Sequence, residues 1–446
     1  MNETAGTGDK KRSPVLLRPI GLLQATAMVV GIIIGASIFV QPSEINRHVP
    51  SIAGVLGVWL AAGVLTLFGS LVCAELSSVY PRTGGVYVFL KETVSPAWGF
   101  MWGWAMFWSA HSGIIAASSM VLARYVGFFV PLGDTGIRVV AVAFILALSF
   151  VNFVGVKQGS GLQTAVTIGK VAAIVLLLVM AAVFGKAASE TGVPVAASTP
   201  VTFREFVLGV SAALFAFGGW HMVTYTAGET RDAAKTIPRA LLIGSLTVTA
   251  AYVVLNAAYL YLLPLRQVTS STRVAADAAD AVAGSRGAAV ISALVILSAV
   301  GVLNGVILAG PRTYLAMAQD GLAFDWLGRV DPRFHTPARA IWLQAAWSCA
   351  LVATGTYRAL FTRVVYTEWL FFAVMSIGLI RLRRSAGYAP GYRAWGYPWV
   401  QVVFAAAALV VAAIQIAADP GQAATGLLLV VLGLPVYYVW VSHANH

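Results

Sequence analysis

Three stretches of this chain set polar chemistry inside apolar surroundings. Lys170 stands in Thr167-Ile-Gly-Lys-Val-Ala-Ala-Ile174, a lone ammonium in a hydrophobic run. At membrane depth a lysine costs several kcal/mol unless it snorkels, pairs or faces water. It lies about eight residues into its run, roughly 12 Å along a helix, a strained reach to the interface even for a long side chain. The second stretch is Gly31-Ile-Ile-Ile-Gly-Ala-Ser-Ile-Phe39. Two glycines four apart allow a close-packing helix face. They equally allow a helix break, which lipid tolerates only where the backbone lines a cavity. The third is Ala213-Leu-Phe-Ala-Phe-Gly-Gly-Trp-His-Met222, with adjacent glycines, aromatics and a histidine. Gly218-Gly219 either receives a bulky neighbour or breaks a second helix.

The elements that position these residues follow from composition. Of 446 residues, 59% are hydrophobic and 10% charged, with mean hydropathy +0.82. Soluble domains carry about 25% charged residues. The apolar runs have the length of about 20 residues that spans a bilayer, and no period-2 alternation suggests a barrel. The pattern predicts an all-α polytopic membrane protein with twelve spans near 20–46, 53–79, 98–129, 136–156, 162–185, 205–229, 238–263, 287–318, 339–356, 360–381, 398–417 and 423–441. The polar N-terminus, 1–18, has no apolar core of a cleavable signal, so the first span serves for insertion.

With a cytoplasmic N-terminus, 18 Lys or Arg fall in cytoplasmic segments and 10 in external ones, and Lys170 completes the 29. The asymmetry follows the positive-inside rule and places Lys10-Lys11-Arg12 in the cytoplasm. External residues such as Arg266, Arg273 and Arg286 keep it modest. The net charge of +12 is therefore read as topology and not as nucleic-acid binding. Loops near 186–204, 264–286 and 320–338 are too short for a soluble domain. Residues 74–87 read as a tight interfacial turn, with Pro81 and Gly84-Gly85 supplying its chemistry. The last two spans carry no buried charge and are expected to be peripheral. Cys73 and Cys349 lie in apolar runs and read as small buried hydrophobes, without disulfide or metal spacing.

Signatures of metalloprotease, serine hydrolase and phosphate-cradling loops are missing. The six histidines make no metal pattern, and His111 reads as a hydrogen-bonding contact between helices. No enzyme activity, cofactor or metal is expected, and any transport must be secondary. If spans six to ten repeat spans one to five, the two glycine stretches occupy corresponding positions, the best sequence pointer to a transporter site. A broken helix offers N–H groups to a carboxylate and carbonyls to an ammonium. An α-amino acid carries both groups on one carbon.

The chain resembles the amino acid–polyamine–organocation superfamily, most closely its L-type amino acid transporter branch. The likeness rests on Gly31 to Phe39, on Ala74-Glu-Leu through Tyr80-Pro-Arg-Thr-Gly-Gly-Val-Tyr87, and on Phe215-Ala-Phe-Gly-Gly-Trp220. It continues through Gly228-Glu229, Ile237-Pro-Arg239, Gly310-Pro-Arg312 and Met317-Ala-Gln-Asp-Gly321. Each piece alone is weak; their order over some 300 residues is specific. The resemblance implies a LeuT-type inverted repeat of five plus five helices with two appended. Its parts would be a cytoplasmic tail at 1–19, repeats at 20–186 and 187–382, and the appended helices at 383–446.

Carried over residue by residue, the N–H groups of Gly35, Ala36 and Ser37 would meet a substrate carboxylate. The carbonyls of Ile33, Phe215, Ala216 and Gly218 would meet the amine. Phe215 resembles an aromatic gate, with Trp220 and His221 as pocket walls. Lys170 matches the lysine of sodium-independent members and would stand where sodium-coupled relatives bind sodium, bridging the first and eighth helices near Ser298. The chain departs from the family at Ser37, where glycine is frequent, and at His221, where the branch often has asparagine. The resemblance implies a sodium-independent exchanger of small or neutral L-amino acids in the plasma membrane. A proton-coupled symporter or a cationic amino acid or polyamine carrier of the same fold is the alternative. With no cysteine in an external loop to tether one, no accessory subunit is expected.

Overall fold

The computed structural model describes residues 16–39, 41–185, 201–271, 274–283, 287–355 and 357–444. Lys10-Lys11-Arg12, most of the expected 186–204 loop with the repeat boundary at 186–187, and Arg273 and Arg286 lie outside the described residues. Among those described, the chain is built from helices, and an isolated bridge joins Ile20 to Thr230.

The order is α1 (Leu22–Ile33), a 3₁₀ turn (Ala36–Phe39), α2 (Gln41–His48), α3 (Ile52–Val79), α4 (Val86–Thr93) and α5 (Pro96–Ala105). A π-type turn (Met106–Ala110) leads into α6 (His111–Val126), followed by α7 (Asp134–Val154) and α8 (Val156–Phe184). Next come α9 (Phe203–Ala216), a 3₁₀ segment (Trp220–Glu229), α10 (Ala233–Leu262), α11 (Leu265–Ser270), α12 (Val274–Ala283) and α13 (Gly287–Gln319). After a 3₁₀ turn at Asp325–Gly328 the chain ends with α14 (Ala338–Thr354), α15 (Tyr357–Leu382), α16 (Trp399–Ala418), α17 (Pro420–Val431) and α18 (Gly433–Ala444).

Nine helical stretches among the described residues are long and apolar enough to cross a membrane. The chain is thus a multi-pass membrane protein. The first expected span misses that criterion because its break leaves α1 only 12 residues long. Helix α14 misses it with 17 residues.

Several elements differ from the sequence expectation. The expected first span, 20–46, is divided into α1, a 3₁₀ turn and α2, and its polar cluster Gln41 to Glu44 begins α2. Where a loop was expected at 264–286, the described residues include two short helices, α11 and α12. In α12 the small residues Ala275, Ala276, Ala278 and Ala279 are buried, so an alanine-rich segment packs against α13 despite Asp277 and Asp280. Helix α16 is not peripheral: Phe404 is fully buried and its ring lies 6.4 Å from that of Trp220. Cys73 is buried, but Cys349 is only partly so.

The turn before α4 has a further partner. Gly84 donates to the Tyr225 carbonyl at 3.3 Å. Gly85 has φ +53°, and a Cβ there would lie 2.2 Å from the Tyr225 ring and 2.3 Å from Thr224 Oγ1. This glycine pair therefore supplies both a left-handed turn and close approach to the 220–229 segment.

Candidate functional site

Helix α1 ends at Ile33, and Ile34 takes non-helical angles of φ −70° and ψ 87°. The two glycines of this stretch do different work. A Cβ on Gly31 would lie 2.2 Å from Thr167 Oγ1 and 2.3 Å from Gln163 Nε2, so Gly31 serves close packing against α8. Gly35 sits beyond the break and lines a cavity. The following 3₁₀ turn leaves its first N–H groups without intrahelical partners. No other backbone acceptor is found for Gly35, Ala36 or Ser37 among the described residues.

The second break follows α9. Gly219 has φ +91°, and a Cβ there would lie 2.4 Å from Ile32 Cγ2. Glycine thus allows the turn and lets the two broken helices touch. Both breaks line one cavity of about 490 Å³, whose walls include Ile33, Ser37, Phe215, Ala216, Gly218, Trp220 and His221. His111, Arg124, Tyr125, Glu368 and Phe372 complete much of the remainder.

Lys170 is fully buried on α8. Its Nζ donates to the carbonyls of Gly31 at 2.9 Å, Ile34 at 2.7 Å and Ser298 at 3.3 Å. The end of α1 thus presents carbonyls to an ammonium, the favourable charge arrangement for a helix C-terminus. The contact to α13 uses the Ser298 backbone, and the Ser298 hydroxyl has no partner among the described residues. Room for the ammonium comes from Gly301, where a Cβ would lie 2.5 Å from Nζ.

A second group links the breaks. The Tyr252 hydroxyl, on α10, lies 2.9 Å from the Ile33 carbonyl and 3.0 Å from that of Ala216. Its ring packs against Trp59 at 5.3 Å and Phe217 at 4.9 Å. The Phe215 carbonyl accepts from Gly218 N–H at 3.2 Å. Two of the carbonyls expected to serve an amine, those of Ile33 and Ala216, share the single Tyr252 O–H, and that of Phe215 has a backbone donor. Each retains a second lone pair.

One end of the helices around the cavity is fastened. Ile20 N–H donates to the Glu229 carbonyl at 3.2 Å, and Arg231 N–H to the Ile20 carbonyl at 2.9 Å. Arg312 Nε and Nη2 reach the Glu229 carboxylate at 2.6 and 2.9 Å, both side chains fully buried. Sequence reasoning quoted both residues within motifs but did not pair them, because they lie 83 positions apart. Glu75 is similarly held: it accepts from Arg383 Nε at 2.6 Å, the Tyr388 hydroxyl at 2.7 Å and Ala394 N–H at 2.8 Å. Burial, with the bond to Glu75, pushes the Tyr388 phenol well above its ordinary pKa and keeps it a donor.

His111 contacts Tyr314 through Nδ1 at 3.1 Å, joining α6 to α13, and also lines the cavity. The described residues contain no group of three metal-ligating side chains.

The chain matches the amino acid permease family over residues 20–440. It belongs to that family. The permease is 31% identical over 427 residues to the serine/threonine exchanger SteT of Bacillus subtilis, covering 95% of this chain and 97% of that protein. It is 26% identical over 432 residues to the human cystine/glutamate transporter, with 96% and 86% covered. The rat large neutral amino acids transporter small subunit 2 is 28% identical over 440 residues, with 96% and 81% covered. The permease is a transport protein of the amino acid–polyamine–organocation superfamily, near its L-type branch, and not an enzyme.

Proposed function

We propose that this permease exchanges small or neutral L-amino acids by alternating access, without sodium, across the plasma membrane with both termini cytoplasmic. The observation that carries the reading is the Lys170 ammonium held by carbonyls of Gly31, Ile34 and Ser298. A cation fixed by covalent attachment at the first break removes the need for one from solution. The relative named as a serine/threonine exchanger supports the same direction.

In this reading α1 with its continuation through His48, together with α14 and α15, completes twelve spans. The two breaks are equivalent points of a five-plus-five inverted repeat, with α16 to α18 appended. The substrate carboxylate meets the N–H groups of Gly35, Ala36 and Ser37. The amine uses remaining lone pairs of Ile33, Phe215 and Ala216, and the Gly218 carbonyl. Phe215 closes over the substrate, and Trp220 and His221 wall the pocket. Ser298 contributes through its carbonyl. No accessory subunit, cofactor or nucleic acid enters the cycle.

Proteoliposomes preloaded with amino acid test the reading. Efflux that requires external amino acid, and persists when choline replaces sodium, is expected. Net uptake driven by a pH gradient into empty vesicles would establish proton symport instead. Binding without flux would make the chain a receptor.

A further inference from the structure

Among the described residues, Glu75 and Glu229 are buried in the bundle and Glu368 lines its cavity, and Glu368 is treated differently. Glu75 and Glu229 are each held by an arginine, Arg383 and Arg312. Glu368 lines the cavity and has no hydrogen-bond or ion-pair partner among the described residues. Arg124 lines the same cavity and pairs with no carboxylate among those residues. A carboxylate in an apolar wall is costly unless something donates to it.

Glu368 sits one helical turn before Phe372 on α15, so the two share a face. Phe372 packs against His221 at 5.0 Å and Trp220 at 5.1 Å. His221 also lines the cavity, and neither of its ring nitrogens has a partner among the described residues. The Tyr225 hydroxyl beside it, with rings 5.6 Å apart, is likewise unpartnered. This corner therefore offers hydrogen-bonding groups that the fold leaves unused. The two helix breaks already match the amine and carboxylate of an α-amino acid. What remains for Glu368 is the side chain.

We propose that Glu368 reads the substrate's side chain and selects amino acids whose side chain donates a hydrogen bond, through a hydroxyl or an ammonium. This inference rests on the exchange reading above: selection of a hydroxyl names a substrate class within it, and selection of an ammonium would keep the exchange but replace its small or neutral class with a cationic one. An apolar side chain of equal size would leave the carboxylate desolvated and unpaired. A site built to bond a donor rejects the analogue that lacks one far more strongly than a pocket rejects a missing methylene.

The test is competition between near-isosteres for exchange of labelled substrate: threonine against valine for the hydroxyl, lysine against methionine for the ammonium. In at least one pair the donor is expected to compete at least about tenfold better in the wild type. In Glu368→Leu that ratio should fall to about one. If Glu368→Leu does not fold, Glu368→Gln should lower the ratio at least about threefold, because a neutral acceptor replaces a charge-assisted one. Equal competition within both pairs in the wild type overturns the proposal, as does a ratio unchanged in the variant that folds. If the wild type moves no amino acid, the exchange reading fails. The same pairs are then compared by thermal stabilisation of the purified wild type and variants. Threonine or lysine stabilising more than its isostere, with that advantage lost on substitution, sustains the selectivity; equal stabilisation overturns it.

Discussion

The two broken helices face one cavity but are held open by different chemistry. At the α1 break, carbonyls at the helix end meet the buried Lys170 ammonium. At the α9 break, the Ala216 carbonyl meets the neutral Tyr252 hydroxyl, which also reaches Ile33 across the cleft. A lysine at that depth is costly and tolerated only with good partners. A tyrosine is an ordinary helix residue whose hydroxyl finds what is near. The contrast assigns the first break to charge compensation and the junction of the two breaks to a weaker, neutral contact.

Substitutions can break this comparison in order of effect. Lys170→Ala should have the largest, lowering exchange in proteoliposomes to below about a tenth of wild type. Exchange at wild-type rates would remove the lysine from the mechanism. Gly301→Ala should follow, because its Cβ would lie 2.5 Å from Nζ and displace the ammonium. A several-fold loss of exchange is expected, with the protein still monodisperse in detergent. Tyr252→Phe should cost roughly 1–2 kcal/mol of stability, read as a lowered unfolding temperature, with a smaller loss of exchange than Lys170→Ala. A loss as deep as that of Lys170→Ala would make the two breaks equivalent. Ser298→Ala should change exchange by less than about twofold, since Lys170 meets the Ser298 carbonyl and the hydroxyl has no partner among the described residues.

What the sequence made legible depended on whether a residue was conspicuous where it stood. Lys170 was legible because a single charge interrupts an apolar run. Both readings of Gly31–Phe39 proved physical, one for each glycine: Gly31 packs on Thr167 and Gln163, and Gly35 lines the cavity. Periodicity cannot separate them, because packing and breaking use the same residue type. Gly301 was illegible for a related reason: its role is to leave room for an atom from another helix. Tyr252 gave no signal, since nothing nearby in sequence marks a hydroxyl that reaches 219 positions back to Ile33. The arginine–carboxylate pairs required knowing which distant helix ends meet. Glu368 belongs to none of the motifs the sequence offers, and nothing beside it in the chain marks it as a cavity wall.

The most direct test of the central claim is counterflow of labelled amino acid into preloaded proteoliposomes with choline replacing sodium on both sides of the membrane. Fixed-cation exchange predicts the same rate with and without sodium, and no counterflow when the vesicles are loaded with buffer alone. Counterflow that collapses without sodium would contradict it, because Lys170 would then not be supplying the cation at the first break.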